Sequence, residues 1–246
     1  WLFVLSDDEI SELESAIRCS DGIPFRQIKV QDFPLGQLKK KLLEIKESVD
    51  RGIGVALVRG VPVEKWSEDD AVRALWGMGL HIGVPQPQDS KLEVFHHVRD
   101  TGQKIGKNSN LRFYQTNDEQ TFHNDGGDIV MLLCRKAARQ GGISLMVSAV
   151  TIFNEVLNQE PLLAEVLQQP FFFDARGQQL TGKPSIQSVP IFVWHGSNLN
   201  ALYKRPYINF AQRFQEVPRL SGLQIEALNL VDRLCAEDVV TVIIPL

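Results

Sequence analysis

The residues best suited to chemistry are His123 and Asp125, separated by Asn124 inside the segment YQTNDEQTFHNDGGDIVMLLC that runs from Tyr114 to Cys134. On an extended backbone, side chains at i and i+2 leave the same face, so one imidazole and one carboxylate can converge on a single ion. Two His and one carboxylate on one face of an octahedron leave three positions open. A ferrous ion needs those positions to take a chelating co-substrate and then dioxygen, whereas zinc hydrolases use a tetrahedral set. The spacing alone is unspecific, because five His and 30 acidic residues in a chain of 246 produce a His-x-Asp/Glu match by chance often enough. Gly126 and Gly127 would let backbone pass close to a metal or ligand, and the β-like run DIVMLLC that follows would carry the pair on a rigid strand. A surface turn with a chance His and Asp is the bland alternative, and the residues by themselves leave both readings open.

The elements that must position this pair are legible in part. Ser6 with Glu9 forms a capping-box pattern ahead of Ile10, Leu13 and Ile17, which predicts a first helix. Leu35, Leu38, Leu42, Ile45 and Val49 predict a second, ending at Gly52, and Ser67 caps a third that runs to about Leu80. Between them, GVALVRG reads as a short buried strand. Gly83, Pro85 and Pro87 then open an irregular stretch to about Gln120. From Phe122 onward the pattern changes to short β-like runs: DIVMLLC, FFFD, and the pair VPIFVWH and ALYKRPYI around a Gly-Ser-Asn turn. Helical inserts are predicted after Ser148 and after Ser221. Helices first and many short strands later predict an α+β protein built on a sandwich or barrel, with residues 1–246 forming one domain.

Composition narrows the class. A formal net charge of −4 with scattered Lys and Arg disfavours nucleic acid as a partner. No run of about eighteen apolar residues and no leader segment occurs, which predicts a cytoplasmic protein with no membrane partner. Cys19, Cys134 and Cys235 are odd in number and far apart, and read as reduced core thiols. Nothing in the sequence signals an oligomeric state.

Other side chains also carry groups that a site could use. Tyr114, Thr116 and Asn117 precede the His-x-Asp pair and offer hydroxyl and amide groups to a substrate, or are ordinary loop chemistry. Arg205, placed in the late hairpin, either meets an anionic substrate or is a solvated strand charge. His96 and His97 are adjacent, so only one can point inward. His81 reads as a helix C-terminal cap, His195 as an isolated histidine beside a turn, and Trp194, Phe171, Phe172 and Phe173 as core.

The stretch FHNDGGD, preceded by YQTN and followed by GGISLMVS, resembles the taurine catabolism dioxygenase family, a clavaminate-synthase-like branch of the iron(II)/2-oxoglutarate oxygenases. GVALVRG resembles the family's early G-x-x-x-x-R-G strand, and VPIFVWH with YKRPYINFAQRF and VPRL resembles its late hairpin and helix. About four fifths of the chain is covered. The resemblance implies a double-stranded β-helix, or jelly roll, with flanking helices. It implies His123 and Asp125 as the first two iron ligands, and Ser144 as a hydroxyl that binds a carboxylate of 2-oxoglutarate. The implied cofactors are Fe(II), 2-oxoglutarate and O2. The implied reaction decarboxylates 2-oxoglutarate to succinate while oxidising an unactivated C–H bond of a small polar metabolite. In related halogenases the carboxylate ligand gives way to a small residue, so Asp125 argues for hydroxylation, desaturation or cyclisation. The family's distal His and the Arg that follows it have no match here, and they are expected beyond Leu246, the chain appearing cut at both ends. The rival expectation is a non-catalytic remnant or small-molecule-binding protein of the same fold. A cupin-like enzyme using His-x-Asp with another metal is a third.

Overall fold

The computed structural model describes residues 1–104, 111–179, 181–237 and 241–245, so part of the expected irregular stretch and the ends of the last β-like run lie outside the described residues. The chain divides into two compact units, one of Trp1–Gln86 with Gly127–Gly142, the other of Pro87–Gly126 with Ile143–Pro245.

In the first unit, β1 (Leu2–Val4) leads into α1 (Asp7–Cys19), α2 (Gln37–Arg51), β2 (Leu57–Arg59) and α3 (Glu68–Ile82). The capping box of α1 forms as predicted: the Ser6 hydroxyl accepts from Glu9 N at 3.3 Å, and the Glu9 carboxylate accepts from Ser6 N at 2.8 Å. That carboxylate is buried and also meets Lys41 of α2. Burial would raise the Glu9 carboxyl, but Lys41 and the cap outweigh it and hold it below its ordinary value. Leu13 and Ile17 of α1 pack with Leu38, Leu42 and Ile45 of α2, with Ala74 and Met78 of α3, and with Phe33. β1 and β2 pair in parallel, Leu2 opposite Leu57 and Val4 opposite Arg59. GVALVRG is therefore a three-residue strand, and it is only half-buried, with Arg59 exposed.

The run DIVMLLC forms no strand. Its residues alternate in exposure from Ile129 to Cys134 in the strand-like way the sequence suggests, and Met131 packs on the first unit's core. No ladder partner lies alongside among the described residues, and a β-prone run without one stays irregular. Cys19 and Cys134 are exposed and only Cys235 is buried, so the expectation of three core thiols holds for one; burial pushes that thiol up to about 11. His81 lies in the last turn of α3 and donates from Nε2 to the carbonyl of Phe33 at 2.8 Å, so it ties two segments together while Gly83 occupies the cap.

The second unit comprises β3 (Ile143–Val147), α4 (Ala149–Gln159), α5 (Pro161–Leu167), β4 (Pro170–Asp174), β5 (Ile186–Pro190), β6 (Phe192–His195), β7 (Asn198–Ala201), α6 (Arg205–Ala211), α7 (Gly222–Cys235) and β8 (Thr241–Pro245). Ser148 and Ser221 cap α4 and α7 through their hydroxyls, as predicted. Three antiparallel pairs form: β3 with β8, β4 with β5, and the hairpin β6 with β7. Phe171 and Phe173 of β4 join Ile152, Val156, Leu167, Ile208, Leu228 and Leu234 in the core. Trp194 is half exposed, stacking edge-on to Phe153 instead of filling the core.

The late hairpin is shorter than predicted. Its second strand ends at Ala201, and Arg205 and Pro206 open α6. Proline lacks an N–H and has φ preset for the first helical turn, so it favours starting a helix over extending a ladder. The architecture is thus α+β, with strands in two-stranded pairs that do not close into a barrel among the described residues. Among those residues, no helix is long and apolar enough to cross a membrane.

Candidate metal centre

His123 and Asp125 do not sit on a regular strand. They occupy a loop held by a single antiparallel bridge between His123 and Lys204, just past β7. Next to the bridge, Asn124 N donates to Tyr203 O at 2.9 Å, and the Asn124 side-chain oxygen accepts from Tyr203 N at 3.0 Å. Local extension is enough to reproduce the i, i+2 geometry. Asp125 Oδ1 lies 3.9 Å from His123 Nε2, so both side chains leave the same face.

The imidazole is oriented. Its Nδ1 lies 2.7 Å from the carbonyl of Thr121 and donates to it, which leaves Nε2 as the ring nitrogen nearer Asp125. An imidazole nitrogen and a carboxylate oxygen suit a borderline cation such as Fe(II), and His123 and Asp125 are the residues that would hold it. Among the described residues no third His, Cys, Asp or Glu completes a cluster around them.

Lys204 now accompanies the pair. Its Nζ lies 3.0 Å from Asp125 Oδ1, the same oxygen that faces the imidazole, and 4.9 Å from the centre of the Tyr207 ring. Partial burial raises the Asp125 carboxyl, but the charge and hydrogen bond of Lys204, aided by His123 and Arg112, outweigh it and hold the group below its ordinary value. Arg112 donates to the Tyr207 hydroxyl at 3.4 Å and to the Gln88 carbonyl at 3.3 Å. Its charge also acts on His96 and Tyr114, so these groups surround one region.

The remaining expected site residues divide by what already engages them. Tyr114 is half-buried with its ring 5.3 Å from that of His96, and burial raises its hydroxyl. His96 lies 3.5 Å from Asp89, and its imidazole is pushed down by burial, while His97 is exposed, so one of the adjacent pair does turn inward. The Thr116 hydroxyl donates to Phe113 O at 3.0 Å and accepts from Asp118 N at 3.2 Å, closing its own turn. Asn117 is exposed and accepts from Lys104 at 3.2 Å. Arg205 reaches Asp232 and Asn229 of α7, each at 3.0 Å, and so pins α6 to α7. Ser144 is half-buried on β3, opposite Ile244 of β8. No hydrogen bond joins Ser144 to His123 or Asp125 among the described residues. Gly126 faces open space. His195 is exposed at the end of β6.

Sequence reasoning missed Asn124, Lys204 and Arg112. Asn124 is the spacer of the motif, and nothing in the sequence marks its bonds to Tyr203. Lys204 contacts Asp125 across 79 residues of sequence, and nothing local marks that pairing.

Comparison with known proteins identifies the family. Residues 21–246 match the family described as "Taurine catabolism dioxygenase TauD, TfdA family". The chain is 31% identical over 205 residues to the FR-33289 synthase of Streptomyces rubellomurinus (strain ATCC 31215), covering 82% of this chain and 60% of that protein. It is 25% identical over 242 residues to the taurine hydroxylase-like protein SAT17 of Stachybotrys chartarum (strain CBS 109288 / IBT 7711), covering 94% of this chain and 62% of that one. The chain thus spans about three fifths of the length of these relatives. With a match that runs over nearly its whole length, the chain belongs to the TauD/TfdA family of taurine catabolism dioxygenases.

Proposed function

We propose that this protein is an Fe(II)/2-oxoglutarate-dependent oxygenase that oxidises an unactivated C–H bond of a small polar metabolite by hydroxylation, desaturation or cyclisation, 2-oxoglutarate being decarboxylated to succinate. The observation that carries the reading is the convergence of His123 Nε2 and Asp125 Oδ1, 3.9 Å apart, with the imidazole tautomer set from behind by Thr121. Membership of the family supports it. On this reading both units belong to one oxygenase domain over residues 1–246, with a double-stranded β-helix core to which the observed strand pairs contribute.

When bound, iron supplies the activation of dioxygen and co-substrate. The chain's own residues do the rest. His123 and Asp125 hold the ion and leave its other positions open, and Asp125 contributes the negative charge. Ser144 offers its hydroxyl to a carboxylate of 2-oxoglutarate. Tyr114, with the neighbouring His96, and Asn117 line the approach for substrate; Thr116 closes the turn between them, and Arg205 holds α6 on α7.

Lys204 sits on the oxygen that must face the metal, so its ammonium has to leave that oxygen when the ion binds. Lys204→Met should therefore tighten divalent-metal binding, by about fivefold if the partly exposed ion pair contributes about 1 kcal/mol. A cobalt(II) titration reads this directly, and unchanged or weaker binding would show that Lys204 does not compete.

The function itself is tested by adding iron(II) and 2-oxoglutarate anaerobically to the intact protein. A weak visible charge-transfer band is expected, followed by succinate on admission of oxygen. The absence of a band, or metal binding that never yields succinate, would overturn the proposal.

A further inference from the structure

We infer that Asn124, the residue between the two donor side chains, is a positioning residue for the metal centre, acting as a clamp on the backbone of Tyr203; this rests on the reading of His123 and Asp125 as ligands of a divalent ion. Alternation sends the Asn124 side chain to the face opposite His123 and Asp125. There its amide oxygen accepts from Tyr203 N at 3.0 Å while its own N–H donates to Tyr203 O at 2.9 Å. An Asn side chain can take the place of a main-chain carbonyl. Here it adds a second tie between the loop and its neighbour, beside the β-bridge of His123 with Lys204.

The strip on which the clamp closes is itself fixed. Tyr203 is 5% exposed, and its hydroxyl donates to Asp232 and approaches the Leu228 carbonyl at 3.3 Å, both on α7. Asp232 in turn accepts from Arg205 at 3.0 Å. The loop is thereby tied to a backbone strip that the buried Tyr203 ring holds in the core, and both donors inherit that placement. Groups that hold a ligand in register from behind commonly change metal affinity by about 10–100-fold when removed.

The clamp uses the backbone of Tyr203 and not its hydroxyl, which allows the inference to be separated from a general loss of fold. Asn124→Ala should weaken cobalt(II) binding to the intact protein, followed by the visible bands of the bound ion, by about tenfold with little change in melting temperature. Asn124→Asp, which keeps an acceptor oxygen in place, should restore most of the affinity. Tyr203→Phe should lower the melting temperature and leave the affinity unchanged. If Asn124→Ala binds cobalt as the parent does, the inference is overturned while the metal site stands. If affinity instead falls in step with melting temperature in both Asn124→Ala and Tyr203→Phe, the residue only supports the fold and the inference is again overturned. If the parent protein shows no cobalt bands, the reading of the site fails and takes the inference with it.

Discussion

Replacing Asp125 with Ala should abolish the anaerobic charge-transfer band and reduce iron affinity by more than the roughly 10–100-fold typical of losing a supporting partner, while leaving the fold intact. Two physical points separate these effects. Asp125 is the acidic member of the pair, so its removal deletes both a donor atom and the charge that draws a dication to a single imidazole. Its structural contribution is small: the side chain is half exposed, and an ion pair of that kind with Lys204 contributes at most about 1 kcal/mol. Asp125→Asn should behave like Asp125→Ala in the band, because the neutral amide keeps the shape and can still accept from Lys204 but lacks the charge. A near-unchanged melting temperature in both variants, measured beside the lost band, would tie the effect to the metal. A band of parental intensity in either variant would remove Asp125 from the coordination sphere.

The largest stability effect is expected at Phe33. This ring is fully buried among α1, α2 and α3, and its backbone carbonyl is held by His81. Phe33→Ala should cost about 3–5 kcal/mol, the range for emptying an aromatic site in a close-packed core. The facing residue is Gly77 of α3, where an added Cβ would lie only 2.4 Å from three ring atoms of Phe33. Gly77→Ala alone should therefore destabilise by about 1–3 kcal/mol through overpacking, although alanine favours a helix interior by about 1 kcal/mol over glycine. In the Phe33→Ala background the clash disappears and the same methyl should stabilise. The reversal of sign is the test, read from denaturant midpoints of the two single variants and the double variant. If Gly77→Ala costs the same in both backgrounds, the ring and the glycine are not in contact.

Several parts of the fold were readable because they depend on neighbours along the chain. Ser6, Ser67, Ser148 and Ser221 each cap the helix that follows, since a hydroxyl satisfies amides only two or three residues away. FFFD became β4 and Gly52 closed α2 for similarly local reasons. The errors fall where a partner was required. DIVMLLC carries strand-like alternation but pairs with nothing among the described residues, and Trp194, on the same face of β6 as the buried Phe192, meets Phe153 edge-on at the rim of the core and stays half exposed. The hairpin ends early because Pro206 starts α6 where a longer strand was expected.

The candidate site shows the same division at finer scale. That an imidazole and a carboxylate can share a face follows from a two-residue period once the backbone is extended; the order H-N-D offers it, and the bridge of His123 to Lys204 supplies the extension. Which atoms surround the pair was decided by tertiary structure. Tyr203 and Lys204 arrive from 79 residues away, and no local rule links positions so distant. Alternation tells where a side chain can point; only chain packing selects what it meets there, because contacts across long loops are set by the core that closes them and not by the spacing of the residues that touch.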